Sequence, residues 1–124
     1  MKITQAMGML TMAGALWACG PHYDRHEVTN LQTKGGGSLN ESSLDVSVKV
    51  GMVVSAELAP YNTDDEYMGV GEITSSNPAV LEVIPLDDVP DGFAFVGRSV
   101  GNVELRYFAD GEMVVSAKGT VRAQ

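Results

Sequence analysis

LDVSVKVGMVVSAELAP, residues 44–60, decides the fold. Val46, Val48 and Val50 alternate with Asp45, Ser47 and Lys49. After Gly51, Val54, Ala56 and Leu58 alternate with Ser55 and Glu57, up to Pro60. A helix would repeat its apolar positions every 3.6 residues, roughly; a half-buried strand repeats them every second residue. Valine suits a pleated surface, and a glycine and a proline bound the second run as they bound strands.

The same period continues downstream. Met68 to Thr74 reads as a weaker strand carrying Gly69 and Gly71, and Ser75-Ser76-Asn77-Pro78 is a turn. Val80 to Ile84 is a short strand ended by Pro85, and Asp87 to Gly92 is a second turn. Phe93 and Phe95 alternate with Ala94. Val103, Leu105 and Tyr107 alternate with Glu104 and Arg106 in a strand opened by Gly101. Asp110-Gly111 is a tight hairpin signal before a last strand from Met113 to Val121. About seven short strands, with a turn roughly every 8–12 residues and no helical stretch, predict an all-β chain. The architecture expected over residues 44–124 is an antiparallel β-sandwich. Its core is expected from Val48, Val50, Val54, Ala56, Leu58, Ile73, Val80, Val83, Phe95, Val103, Leu105, Tyr107 and Val115.

Upstream the character changes. Residues 20–43, GPHYDRHEVTNLQTKGGGSLNESS, hold few large apolar side chains and a Gly35-Gly36-Gly37 run. They read as a flexible tether, with a reach of roughly 25–30 Å. His22 and His26 lie four apart with Asp24 and Glu27 nearby. On a helix they would share a face and could share a metal, but Gly20-Pro21 and the missing helical period leave two solvated histidines in a linker.

Residues 1–18 read as an export signal: Lys2 supplies positive charge, and Ala6 to Ala18 is uncharged and too short to span a bilayer. The run stops at Leu16-Trp17-Ala18-Cys19-Gly20, where Cys19 is the one cysteine of the chain. This resembles the bacterial lipobox. The resemblance implies that Leu16 and Ala18 are read by the signal peptidase and that Cys19 carries the lipid, so that the partner is a lipid membrane. Gly20 is not the Asp that marks inner-membrane retention in enteric bacteria, which favours the outer membrane or cell surface. The alternative is an ordinary signal cut after Ala13-Gly14-Ala15 and a soluble secreted or periplasmic protein.

Ile73-Thr74-Ser75-Ser76-Asn77-Pro78-Ala79-Val80-Leu81-Glu82-Val83 resembles the W-x-S-S-N-P-x-V-A-x-V stretch of bacterial immunoglobulin-like domains of group 2. Val100-Gly101-Asn102-Val103-Glu104-Leu105 is similar to the glycine-led strand of that family. Ile73 stands where the family has Trp. The resemblance covers residues 44–124 and implies an immunoglobulin-like sandwich of the kind found in intimin-like and invasin-like surface proteins.

Function is less legible. The net charge of −8 and scattered Lys and Arg argue against nucleic acid, whose phosphates require clustered cations. With both histidines and the cysteine upstream of residue 44, the expected domain has no base for nucleophilic catalysis and no catalytic residues. Gly35-Gly36-Gly37 lacks the following Lys-Ser/Thr of a phosphate loop. Two acidic loops are the remaining signal: Asp64, Asp65 and Glu66, and Asp87, Asp88 and Asp91. Loops at one end of a sandwich could offer their oxygens to Ca²⁺, although neither matches a calcium-loop spacing; solvated charge is the plainer reading. Tyr61 and Tyr67 flank the first cluster, as contact anchors or as half-buried strand ends. The expected function is a membrane-anchored, non-enzymatic binding or structural module, adhesive or accessory, for an unidentified protein or glycan. A calcium-dependent carbohydrate or matrix binder and a small enzyme are the alternatives.

Overall fold

The computed structural model describes residues 20–124. Nine strands form among them: β1 (Tyr23–Thr33), β2 (Ser38–Leu39), β3 (Val46–Lys49), β4 (Val53–Asn62), β5 (Glu72–Ser75), β6 (Leu81–Pro85), β7 (Gly92–Gly97), β8 (Gly101–Ala109) and β9 (Glu112–Arg122). They make a four-stranded sheet, β1-β4-β7-β6, and a five-stranded sheet, β2-β3-β9-β8-β5. The result is an all-β sandwich, with β1 in the four-stranded sheet and the two short strands that follow it, β2 and β3, in the other. All pairings are antiparallel except β3 with β9, which run parallel with Val46 opposite Gly119 and Lys49 opposite Arg122.

Within residues 44–124 seven strands form, at the places the alternation marked, with boundaries moved by a few residues. The weaker strand from Met68 shortens to Glu72–Ser75. Asp110 and Gly111 both take positive φ, 53° and 81°, which gives β8 and β9 the two-residue turn that matches strand twist. The Ser75–Pro78 block is a turn closed by its own side chains. Asn77 Oδ1 accepts from the Ala79 amide (3.2 Å), and Ser76 Oγ accepts from the Glu104 amide (2.9 Å). At Gly101 the close approach is to Val80, whose Cγ1 would lie 3.2 Å from an added Cβ.

Val48, Val54, Ala56, Leu58, Phe95, Val103, Leu105 and Tyr107 are buried, as expected. Val50, Ile73, Val80, Val83 and Val115 are half-buried around them. Leu39, Leu44, Val46, Leu81, Phe93, Ala109 and Val121 complete the buried set. Ile73 and its neighbours leave an apolar gap of only about 10 Å³, so the core closes without the family's Trp. At Gly119 the sheets approach so closely that a Cβ would lie 2.5 Å from Leu81 Cδ2.

The tether expected over residues 19–43 is corrected by the structure. From Tyr23 the chain is the eleven-residue strand β1, paired with β4 from Tyr23↔Asn62 to Thr33↔Val54. Its pattern is disguised by two irregularities, between Tyr23 and Arg25 and between Thr29 and Gln32, with Asn30 at φ 49° in the second. Each extra residue shifts the phase of the alternation, so Tyr23 and Val28 pack against the core and His26 meets Tyr107 although the three are not evenly spaced. The domain therefore begins near residue 23, not 44, and the folded part does contain histidine. The signal segment, with Leu16, Ala18 and Cys19, lies outside the described residues.

Two substitutions test this core. Val28→Asp would put an unpaired carboxylate against it and should cost about 2–3 kcal/mol in denaturant unfolding, whereas a tether would tolerate the change. Tyr107 is 2% exposed and its hydroxyl has no hydrogen-bond partner among the described residues. An unmet buried hydroxyl carries a desolvation penalty of about 1–3 kcal/mol, so Tyr107→Phe should leave stability unchanged or raise it. A large loss would overturn that reading.

Candidate binding groove

Beside β1 lies an open groove of about 690 Å³, lined by Tyr23 to Thr29 of that strand, by Glu41 and Ser42, and by Val115 of β9. His26 forms its centre. Its Nδ1 lies 2.6 Å from the Tyr23 hydroxyl and its Nε2 lies 2.7 Å from the Glu41 carbonyl oxygen. The carbonyl can only accept, so Nε2 carries the proton and Nδ1 accepts from Tyr23. The imidazole ring also meets the edge of Tyr107, 5.9 Å between centroids. Nε2 thus ties β1 to the Asn40–Asp45 turn, Nδ1 is engaged within β1 by Tyr23, and neither is left to act as a general base. His22 is exposed near Thr63, its amide 3.4 Å from Thr63 Oγ1, and no metal-holding group of three His, Cys, Asp or Glu forms among the described residues.

The turn that meets His26 is built by Asn40, whose Oδ1 accepts from the Ser42 and Ser43 amides (3.0 and 2.9 Å). It drives Leu44 into the core at φ 65°, a backbone setting that a branched side chain rarely takes. Burial of the isobutyl group holds it there.

The first acidic loop is organised, not open. Asn62 Oδ1 accepts from the Asp64 and Glu66 amides (2.9 and 3.0 Å). Arg25 reaches Asp65 (2.5 Å), Glu27 (3.3 Å) and Asp24 (3.5 Å) while lying 4.8 Å above the Tyr61 ring. The hydrogen bond to Asp65 is the main reason the guanidinium holds its proton still more firmly than usual. In the second acidic loop, Asp87 and Asp88 are exposed, and Asp91 accepts from the Tyr67 hydroxyl at 2.9 and 3.0 Å. Tyr67 is 48% exposed and tilts against the half-buried Tyr61, 6.1 Å away. The structure thus links one tyrosine to each acidic cluster. It does not gather the six acidic side chains into one cage. The groove had no sequence signal except the alternating half of β1, which its irregularities hide.

These phenols make stability depend on pH in the alkaline range. Partial desolvation, then the Asp91 hydrogen bond and charge, push Tyr67 up to about 12, and burial pushes Tyr107 up as well. An unfolded tyrosine ionises near 10, roughly. Between these values the unfolded chain loses protons that the folded chain keeps, so unfolding is favoured as pH rises. The contribution of these tyrosines should be flat below about pH 10 and fall towards about pH 12. Tyr67→Phe should flatten that fall, read as melting temperature against pH.

No family model matches the sequence, and no curated protein matches it. Solved structures do resemble the fold. Domains 4 and 5 of the S-layer protein SbsC superpose with a TM-score of 0.56 at 14% identity, over 90% of this chain and 55% of that one. The structure of surface layer protein SbsC domains 1–6 gives 0.60 at 14% identity, over 92% of this chain and 14% of that one. The chain thus spans about half of the first and a small part of the second, and at this identity the likeness is one of fold: an all-β sandwich of the kind built into surface-layer proteins.

Proposed function

We propose that this chain is a non-enzymatic structural or binding module held at a bacterial cell surface by lipid on Cys19. The observation that carries the reading is the position of the lipobox-like Leu16–Cys19 directly before a sandwich whose fold is shared with surface-layer domains. A non-catalytic role is supported by His26, whose two nitrogens are both spent on internal contacts.

The corrected start of the domain changes what such an anchor does. Only Gly20, Pro21 and His22 separate Cys19 from β1. At about 3.3–3.6 Å per residue, the lipid-bearing residue would lie at most about 14 Å from Tyr23. The module would rest on the headgroups with the loop of Thr63–Glu66 and the Asp110-Gly111 hairpin at its lower end. Its upper end and its sides would be free for partners.

Intact-mass analysis of the membrane fraction tests the anchor. The mature chain should begin at Cys19 and carry a lipid-sized increment that Cys19→Ala removes. A chain cut after Ala15, or one retaining a free thiol, would overturn the lipoprotein reading in favour of plain secretion.

A further inference from the structure

Two sheet edges lie unpaired beside the same groove. β1 has a neighbour, β4, on one side only. β9 has β3 on its outer side, but only over Gly119–Arg122. Before that point, the Lys118 amide turns away from β8 and donates to Asp45 Oδ1 at 2.8 Å. In an antiparallel ladder, alternate residues point their backbone groups to the same side. Ser116, opposite Arg106 in an unbroken stretch of register, therefore turns its amide and carbonyl to the side where no strand lies. Asp45 supplies a substitute acceptor for one amide of this edge, and Ser116 has none among the described residues.

The groove beside this edge has an uneven charge. Asp24, Glu27 and Glu41 line it, with Arg25 as the cation. Arg25 makes its shortest ion pair with Asp65, which does not line the groove. Glu41 has no ion pair among the described residues. Tyr23, Val28 and Val115 provide apolar surface between these charges.

We infer that the groove takes an extended peptide segment bearing a Lys or Arg side chain, which adds to β9 as a strand in line with β3 and sets its cation against Glu41. Main-chain hydrogen bonds to Ser116 would supply affinity, and the acidic wall would select the side chain. This deepens the binding role proposed above, yet it stands apart from the anchor: lipid on Cys19 is read by mass, and peptide capture by the Ser116 amide.

The test uses the full chain, isotope-labelled in detergent, with a synthetic octapeptide alternating Lys and Val. Amide exchange at Ser116 should slow by about tenfold or more when the peptide is present. An octapeptide alternating Glu and Val should not produce the effect. Glu41→Gln should weaken capture by about three- to tenfold without moving the melting temperature. Ser116→Pro removes the outward amide at a position where the ladder to β8 does not use it, and should abolish protection of the neighbouring edge. Ser116→Ala, which keeps the amide and loses only the hydroxyl bond to Glu104, should bind as before. The inference fails if the Glu peptide protects Ser116 equally, if Glu41→Gln binds unchanged, or if Ser116 is already protected in a concentration-dependent way without peptide, which would make a second copy the occupant.

Discussion

One length of chain, from Tyr23 to Lys49, has to serve both sheets. As β1 it covers the edge of β4, and as β3 it runs parallel beside β9. Between them the backbone must cross the open side of the sandwich within about a dozen residues, and the local devices of this region answer that need. Gly35 and Gly36 take positive φ at the crossing, and Asn40 closes the turn that follows it. Leu44 accepts an unfavourable torsion because its side chain fills the core where β3 has not yet begun. His26 then ties the turn back to β1. The crossing cannot cover both edges along their full length, and the groove is what remains uncovered.

The polar contacts follow a simple division. The interior holds no buried charged residue among those described. The ionic contacts of Arg25, Arg98 and Arg106 all involve partly exposed groups, where solvent screening leaves each ion pair little to contribute by itself. Stability therefore rests on the apolar interior, and the charged contacts define loop shape. Arg25 shows this well: stacked on Tyr61 and bonded to Asp65, it fixes the Asn62–Glu66 loop against the start of β1.

The sandwich was legible because inward positions such as Val46, Val48, Val54, Ala56 and Leu58 repeat at the strand period without interruption. Asp110-Gly111 and Ser75–Pro78 were legible because turn chemistry is local. β1 was not. Its inner face is made of Tyr23, His26 and Val28, two of them polar, and extra residues near Asp24 and Asn30 break the period that would have exposed it. Its composition resembles a linker because one side of an edge strand faces water. Burial of Leu39, Leu44 and Val121 was missed for a related reason: Leu39 and Val121 sit near strand ends and Leu44 in the turn before β3, where burial is set by partners far away in sequence. The acidic loops could be located from composition, but their division between Arg25 and Tyr67 depends on which loops the topology brings together. The groove has no local signature beyond the hidden alternation of β1, since it is left open only because β3 pairs with no more than the last part of β9.

The chain enters the sandwich beside Thr63, at one end of β4, and β9 finishes beside Val50, at the other. Traction between Tyr23 and Arg122 would therefore run along the strands. The parallel pairing of Val46–Lys49 with Gly119–Arg122 would be sheared, its bonds loaded together, instead of being unzipped one after another. A small domain can in this way yield slowly under a pull, because resistance to force depends on the height of the unfolding barrier and on the direction in which it is approached.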